Sequence, residues 1–314
     1  MDNFIYACNA VMPTFLLILL GVCLKRIGIL SDVFIKQGNR LCFQVLFPIM
    51  VFFNLYEAEE INMAYVKLIL FAVAIILISL TVLMGIVPKV TERKRAAVLI
   101  QSIYRGNFML YGLPFSQTLG GTTSVSMATS ILAVTLPMLN VIGVFVYSYF
   151  AEHAEGPDLK ATSINAMKNP IIWGVIIGAV FGALAIPLPD FVYTAGKDVA
   201  KIGMPFAFLL LGGQFHLSSA VKNWQALAVG LTTKLVILPV IVLAIAIGFL
   251  DITGSALVPI FIFAAAPTAI TNYQMAVQFD ADAELAGDFL IYSMLFSILT
   301  MFVFIYILRT AGWI

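Results

Sequence analysis

Two short stretches place polar side chains inside long apolar runs. "YRGNFMLYGLPF" runs from Tyr104 to Phe115, and "AAAPTAITNYQM" runs from Ala264 to Met275. Each joins a proline to amide side chains: Asn107 with Pro114 in the first, Pro267 with Asn272 and Gln274 in the second. A proline within a helix removes a backbone hydrogen bond and clashes with the preceding turn. The carbonyl and amide groups it releases are costly in hydrocarbon, so such a break belongs where protein buries it or where it lines a wet cavity. Half-helices that begin at a break aim their positive ends at it, which favours an anion. Asn107 and Asn272 add amide donors suited to a carboxylate. The expected chemistry is therefore anion recognition, with Asn107 and Asn272 facing each other across one midplane cavity. Pro267 taken alone reads as a simple kink, because prolines are common in membrane helices. The pairing of two interruptions points to a site.

The surrounding elements must be membrane spans. The 314 residues are 62% hydrophobic and 11% charged, against about 25% charged in a soluble domain. Apolar runs of roughly 18 residues or more recur along the chain. The net charge of +1 gives no electrostatic case for nucleic acid. Cys8, Cys23 and Cys42 lie far apart and read as small packing residues, and His153 and His216 belong to no metal or catalytic cluster. No cofactor or metal is expected. The first apolar run, residues 4–24, has no basic flank before it and is too long for a signal-peptide core, so it reads as a retained span.

Ten spans are expected, at residues 4–24, 33–56, 63–87, 95–119, 124–150, 170–187, 191–215, 224–249, 254–279 and 284–309. This predicts an all-α polytopic fold. Residues 1–150 form a first five-helix repeat, 151–169 a cytoplasmic linker, and 170–314 a second repeat. "GILSDVFIKQGNRLCFQVLFPIMVFF", from Gly28, aligns with "IPLPDFVYTAGKDVAKIGMPFAFLLL", from Ile186, matching Asp32 to Asp190 and Gly38 to Gly196. An odd number of spans per repeat inverts the second copy. Helices 4 and 9 then carry the two interruptions at equivalent places. Of the 17 basic residues, eleven fall on one face (Lys25, Arg26, Lys36, Arg40, Lys89, Arg93, Lys94, Arg95, Lys160, Lys168 and Lys222), which the positive-inside rule makes cytoplasmic. Both termini then lie outside. Inversion accounts for Lys197 and Lys201 on the outer side, as counterparts of Lys36 and Arg40.

"RGNFMLYGLPFSQTLGG" and "AAAPTAITNYQMAVQF" resemble the two signature segments of the auxin efflux carrier family, which includes bacterial carriers of the malonate and malate type. The resemblance covers the whole chain and implies two inverted repeats whose broken fourth and ninth helices cross at the substrate site. It assigns Asn107, Pro114, Pro267 and Asn272 to binding of a carboxylate. The chain departs from many plant members in having only a short central loop, and auxin itself does not carry over. Related crossed-helix folds include bile-acid symporters and sodium–proton antiporters, so proton coupling, sodium coupling and uniport all stay open. So does a homodimer.

Several other polar residues have two readings. Arg105 either supplies positive charge to the substrate or pairs structurally with an acid such as Asp288, or snorkels. Lys234 and Asp288 are either proton-linked groups or a packing ion pair. Asp32, Lys36 and Arg40 have the spacing of a salt-bridged helix start. Asn54 and Asn140 read as interhelical hydrogen bonders, with cavity lining a lesser alternative for Asn140. The acidic runs at Glu57 and Asp280 read as loop faces or helix N-terminal charges. The resulting expectation is a carrier of a small organic anion in the bacterial inner membrane, working by alternating access and binding through Arg105, Asn107, Pro114, Pro267, Asn272 and Gln274. The alternatives are an ion-coupled symporter and a ligand sensor that moves nothing. An enzyme is not expected, since no nucleophile, carboxylate pair or metal cluster is visible.

Overall fold

The computed structural model describes residue 13 and residues 16–57, 65–151, 168, 170–214 and 223–314. Most of residues 151–169, including His153, and also Glu59, His216 and Lys222, lie outside this set. So do the side chains of Asn54 and Pro114.

Helix α1 covers 16–26. Helices α2 (Asp32–Leu41) and α3 (Phe47–Tyr56) are joined by a π-helical turn, Cys42–Leu46. Then follow α4 (Val66–Ile86), α5 (Arg93–Tyr104), α6 (Phe108–Phe150), α7 (Pro170–Ala183) and α8 (Asp190–Gln214). A second π turn, Thr233–Ile237, joins α9 (Trp224–Thr232) to α10 (Leu238–Gly248). The chain ends with α11 (Leu257–Ala265), α12 (Ile270–Gln278) and α13 (Ala283–Thr310). Each π turn precedes a proline, Pro48 or Pro239, whose missing N–H and bulky ring disturb regular i→i−4 bonding there.

Among the described residues, four stretches are long and apolar enough to cross a membrane unaided: Val66–Lys89, Phe115–Phe150, Trp224–Gly248 and Ala283–Thr310. The α5–α6 junction and the α11–α12 junction interrupt two more. Helix α6 is also kinked: Gly121 has φ 67°, ψ −164°, a conformation open to glycine and strained for other residues. The expected separate spans 95–119 and 124–150 are thus α5 plus the start of α6, and the remainder of α6.

The widest helix–helix interface joins α3 to α7, so the two halves of the chain pack into each other. Gly178 permits this. A Cβ there would lie 2.6 Å from the Phe52 carbonyl oxygen, so a larger residue would force the backbones apart. Lipid-facing side chains lie on the outer helices; α4 alone exposes Leu70, Leu77, Ile78, Val82 and Ile86. By contrast, every residue from Leu257 to Ala265 is buried.

The expected ladder of Asp32, Lys36 and Arg40 does not form. Asp32 pairs instead with Lys25 across the turn at Gly28, and Arg40 Nε donates to Gln44 Oε1 at 3.1 Å. The turn returns the end of α1 to the start of α2, so the nearest cation to Asp32 comes from the neighbouring helix. Lys197 pairs with Glu57. At the basic end, Lys94 Nζ donates to Asp280 Oδ2 at 2.9 Å, and Asp282 caps α13 by accepting from the Leu285 N–H at 2.9 Å. These contacts tie the α12–α13 loop to the start of α5.

Candidate functional site

The two interruptions meet. Gly106 and Thr268 form an isolated antiparallel bridge, and the Asn107 N–H donates to the Pro267 carbonyl at 2.7 Å. This is how backbone released by each break is satisfied inside the protein. Ala266, before Pro267, is extended (φ −58°, ψ 140°), as the proline ring requires of its predecessor. Arg105 is also extended (φ −97°, ψ 102°). Gly106 is pinned by space: a Cβ would lie 3.2 Å from the Ala266 oxygen, 3.2 Å from Lys234 Nζ and 3.3 Å from the Phe263 oxygen. Thr268 completes the crossing, its N–H donating to Ser293 Oγ at 3.2 Å and its hydroxyl to the Arg105 carbonyl at 3.4 Å.

Four helix ends therefore converge. Helices α6 and α12 begin here, at N-caps Asn107 and Ala269, with no side-chain cap on either. The N–H groups of a helix's first turn generally lack intrahelical partners; in α12 the Asn272 N–H does find one, the Ala269 carbonyl at 3.0 Å. Helices α5 and α11 end here, and the buried Lys234 Nζ donates to the Ala264 carbonyl at 3.2 Å, at the negative end of α11.

A cavity of about 30 Å³ adjoins the crossing, room for a water or two. Its walls come from the breaks (Arg105, Gly106, Asn107, Ala269), the first turns of α6 and α12 (Phe108, Met109, Ile270, Thr271), the body of α6 (Thr135, Leu139, Asn140), and Met50, Val51 and Met204 of α3 and α8. Three buried polar atoms on these walls have no hydrogen-bond partner among the described residues: Asn107 Nδ2, Asn140 Nδ2 and Thr271 Oγ1. Arg105 is 2% exposed. Its guanidinium donates to the Leu139 carbonyl at 3.0 Å and to Asn140 Oδ1 at 2.6 Å. Among the described residues it has no carboxylate partner. A buried cation without a counter-ion is costly, and an anion placed beside it relieves that cost.

Residues 6–305 match the membrane transport protein family. The chain belongs to that family, the family of the auxin efflux carriers. The match covers nearly the whole chain and fits the long apolar helices. No curated protein matches the sequence. The protein is a membrane transporter, and its crossed breaks form the polar centre of an otherwise apolar molecule.

The transporter does not bring all six expected residues to one cavity. Arg105 and Asn107 line it. Pro267 holds Asn107 through its carbonyl. Pro114 falls within α6, two turns from the break. Asn272 does not face Asn107, which corrects the expected pairing across a single cavity. Its Nδ2 donates to Ser102 Oγ at 2.6 Å, and its Oδ1 and carbonyl accept from the Tyr147 hydroxyl, the latter at 3.1 Å. The reason is helix phase: adjacent residues on α12 point about 100° apart, so Thr271 faces the cavity and Asn272 faces α5 and α6. Gln274 also points elsewhere, donating from Nε2 to Asn39 Oδ1 at 3.2 Å. The proposed Arg105–Asp288 pair is absent. Asp288 instead accepts from Asn223 Nδ2 at 3.2 Å. Nor do Lys234 and Asp288 pair: Lys234 is bonded to the Ala264 carbonyl.

Sequence reasoning missed Thr271 and gave Asn140 the lesser role. Thr271 belongs to the same polar stretch, but periodicity within Ile270–Ala276, all buried, cannot select its cavity face, because no exposed side marks the phase there.

Proposed function

We propose that the transporter carries a small organic anion and binds its carboxylate in the cavity at the crossing. The carrying observation is the coincidence, on one cavity, of the unpaired amides of Asn107 and Asn140 with the buried Arg105, which lacks a counter-ion. A carboxylate accepts from these amides and from the uncapped first turns of α6 and α12. Arg105, held by Leu139 and Asn140, supplies long-range positive charge and fixes Asn140.

The ten-span inverted repeat and alternating access complete this proposal. Support comes from the meeting of the two breaks and from the cavity's position between the crossing and α3 and α8. A cavity of about 30 Å³ is too small for an organic anion, so loading requires the crossing unit to part from α3 and α8. The basic end, with Arg93, Lys94 and Arg95, faces the cytoplasm in this scheme.

A thermal-shift screen of mono- and dicarboxylates on the purified protein tests the reading, since a ligand of the folded state raises the melting temperature. At least one carboxylate should stabilise the wild type and exchange in proteoliposome counterflow. Its affinity should drop in Asn107→Ala. Counterflow that is unchanged in Asn107→Ala, Asn140→Ala and the double variant would remove the site.

A further inference from the structure

A second space, of about 530 Å³, opens between α4 and α9, away from the crossing. Its wall along the membrane is aliphatic, with Val82, Ile86 and Val229 exposed on the lipid side. Its other end is polar, formed by Arg95, Asn223 and Gln225. Exposed Trp224 adjoins that end, and tryptophans favour the headgroup level of a bilayer. The groove therefore runs from the headgroup region into the hydrocarbon.

Arg95 is the one charged residue among those lining the groove. The turn and first residues of α5 carry Lys89, Arg93, Lys94 and Arg95 against Glu92. Three acids face this end: Asp280 pairs with Lys94, Asp282 caps α13 and forms an ion pair with Arg95 at 3.5 Å from its Nε, and Asp288 accepts from Asn223 Nδ2 at 3.2 Å. Arg95 donates from Nη2 to Asn223 Oδ1 at 2.9 Å, and its buried Nε, without a hydrogen-bond partner among the described residues, faces Asp282 Oδ2 at 3.5 Å. Lys89 is exposed and has no acidic partner among the described residues.

We infer that this groove is a binding site for an anionic phospholipid, with an acyl chain along Val82, Ile86 and Val229 and the phosphate on Arg95 and Gln225. The two ends match the two chemistries of that molecule. A soluble anion has no use for the aliphatic wall, and a purely apolar occupant has no use for Arg95. Basic pockets between membrane helices at the positively charged face are a recurring setting for anionic headgroups. The site is independent of the carboxylate reading, because no residue of the crossing lines it. A lipid there would couple the start of α5, and so one arm of the crossing, to membrane composition.

Native mass spectrometry of the purified transporter with phosphatidylglycerol or phosphatidylcholine of identical chains tests the inference. The wild type should retain phosphatidylglycerol with a preference of roughly five- to tenfold, the scale of one surface cation on an anionic lipid. Val229→Trp should fill the groove and abolish that retention while leaving the lipid-free melting temperature unchanged, since Val229 is exposed. Arg95→Gln should level the two lipids, and the Val229→Trp arm stands whether or not that variant folds. Equal retention of both lipids by the wild type would overturn the inference. So would full retention by Val229→Trp, or an equal rise in melting temperature with inorganic phosphate alone.

Discussion

The two breaks that cross at the centre of this transporter are built alike and used differently. The first, at Arg105–Asn107, opens onto a cavity, leaves the Asn107 amide nitrogen unpaired, and carries a guanidinium with no carboxylate partner among the described residues. The second, at Ala266–Ala269, reaches the same cavity through Ala269 and Thr271, but its amide neighbour Asn272 is engaged with Ser102 and Tyr147. The asparagine of one arm thus faces the cavity with a free amide nitrogen, while the asparagine of the other is used to hold the crossing together. Two breaks of similar sequence need not share a task, because a polar group held by protein partners has fewer bonds to give a ligand.

The sharpest way to break this comparison is at the contact itself. Gly106→Val should abolish both folded yield and transport, since its side chain would press on Ala266, Phe263 and Lys234. Normal chromatographic behaviour and uptake by that variant would show that the arms do not depend on close approach.

The next effects should dissociate the arms. Asn272→Ala leaves Ser102 and Tyr147 short of partners, at a cost of about 1–3 kcal/mol per unsatisfied group, read as a lower melting temperature. Asn107→Ala removes an amide that is already unpaired. Its stability should change by less than about 0.5 kcal/mol, while carboxylate affinity falls roughly five- to hundredfold. Equal loss of stability in both variants would erase the difference between the arms. Arg105→Lys should be milder in uptake than Arg105→Gln, because it keeps the charge but not the planar fork that holds Leu139 and Asn140. Identical uptake by the two would leave Arg105 a packing role only.

The smallest effect lies outside the crossing. Burial raises the Glu57 carboxyl pKa, but hydrogen bonds from Lys197 and Tyr193 and the Lys197 charge outweigh it and hold the pKa below 4.5. A depressed carboxyl pKa adds stability above the unfolded value and loses it as pH falls through the folded one. The melting temperature should therefore slip slightly on acidification below about pH 4.5, and less so in Glu57→Gln. An undiminished slip in that variant would place the acid sensitivity elsewhere, the crossing included.

Composition and the recurrence of apolar runs were enough to establish a membrane protein, because no soluble core needs so little charge. The paired proline and amide interruptions were enough to locate the polar centre, since broken backbone in hydrocarbon must find partners. Of the residues named from those stretches, Arg105 and Asn107 line the cavity. Tertiary packing decided that Thr271 faces the cavity and Asn272 the helix interface, because every residue from Ile270 to Ala276 is buried and no exposed side fixes the phase of that stretch. Tertiary packing also brought Asn140, 35 residues away in sequence, to Arg105, a long-range pairing that follows from the Gly121 kink and the path of α6 and that no local spacing encodes.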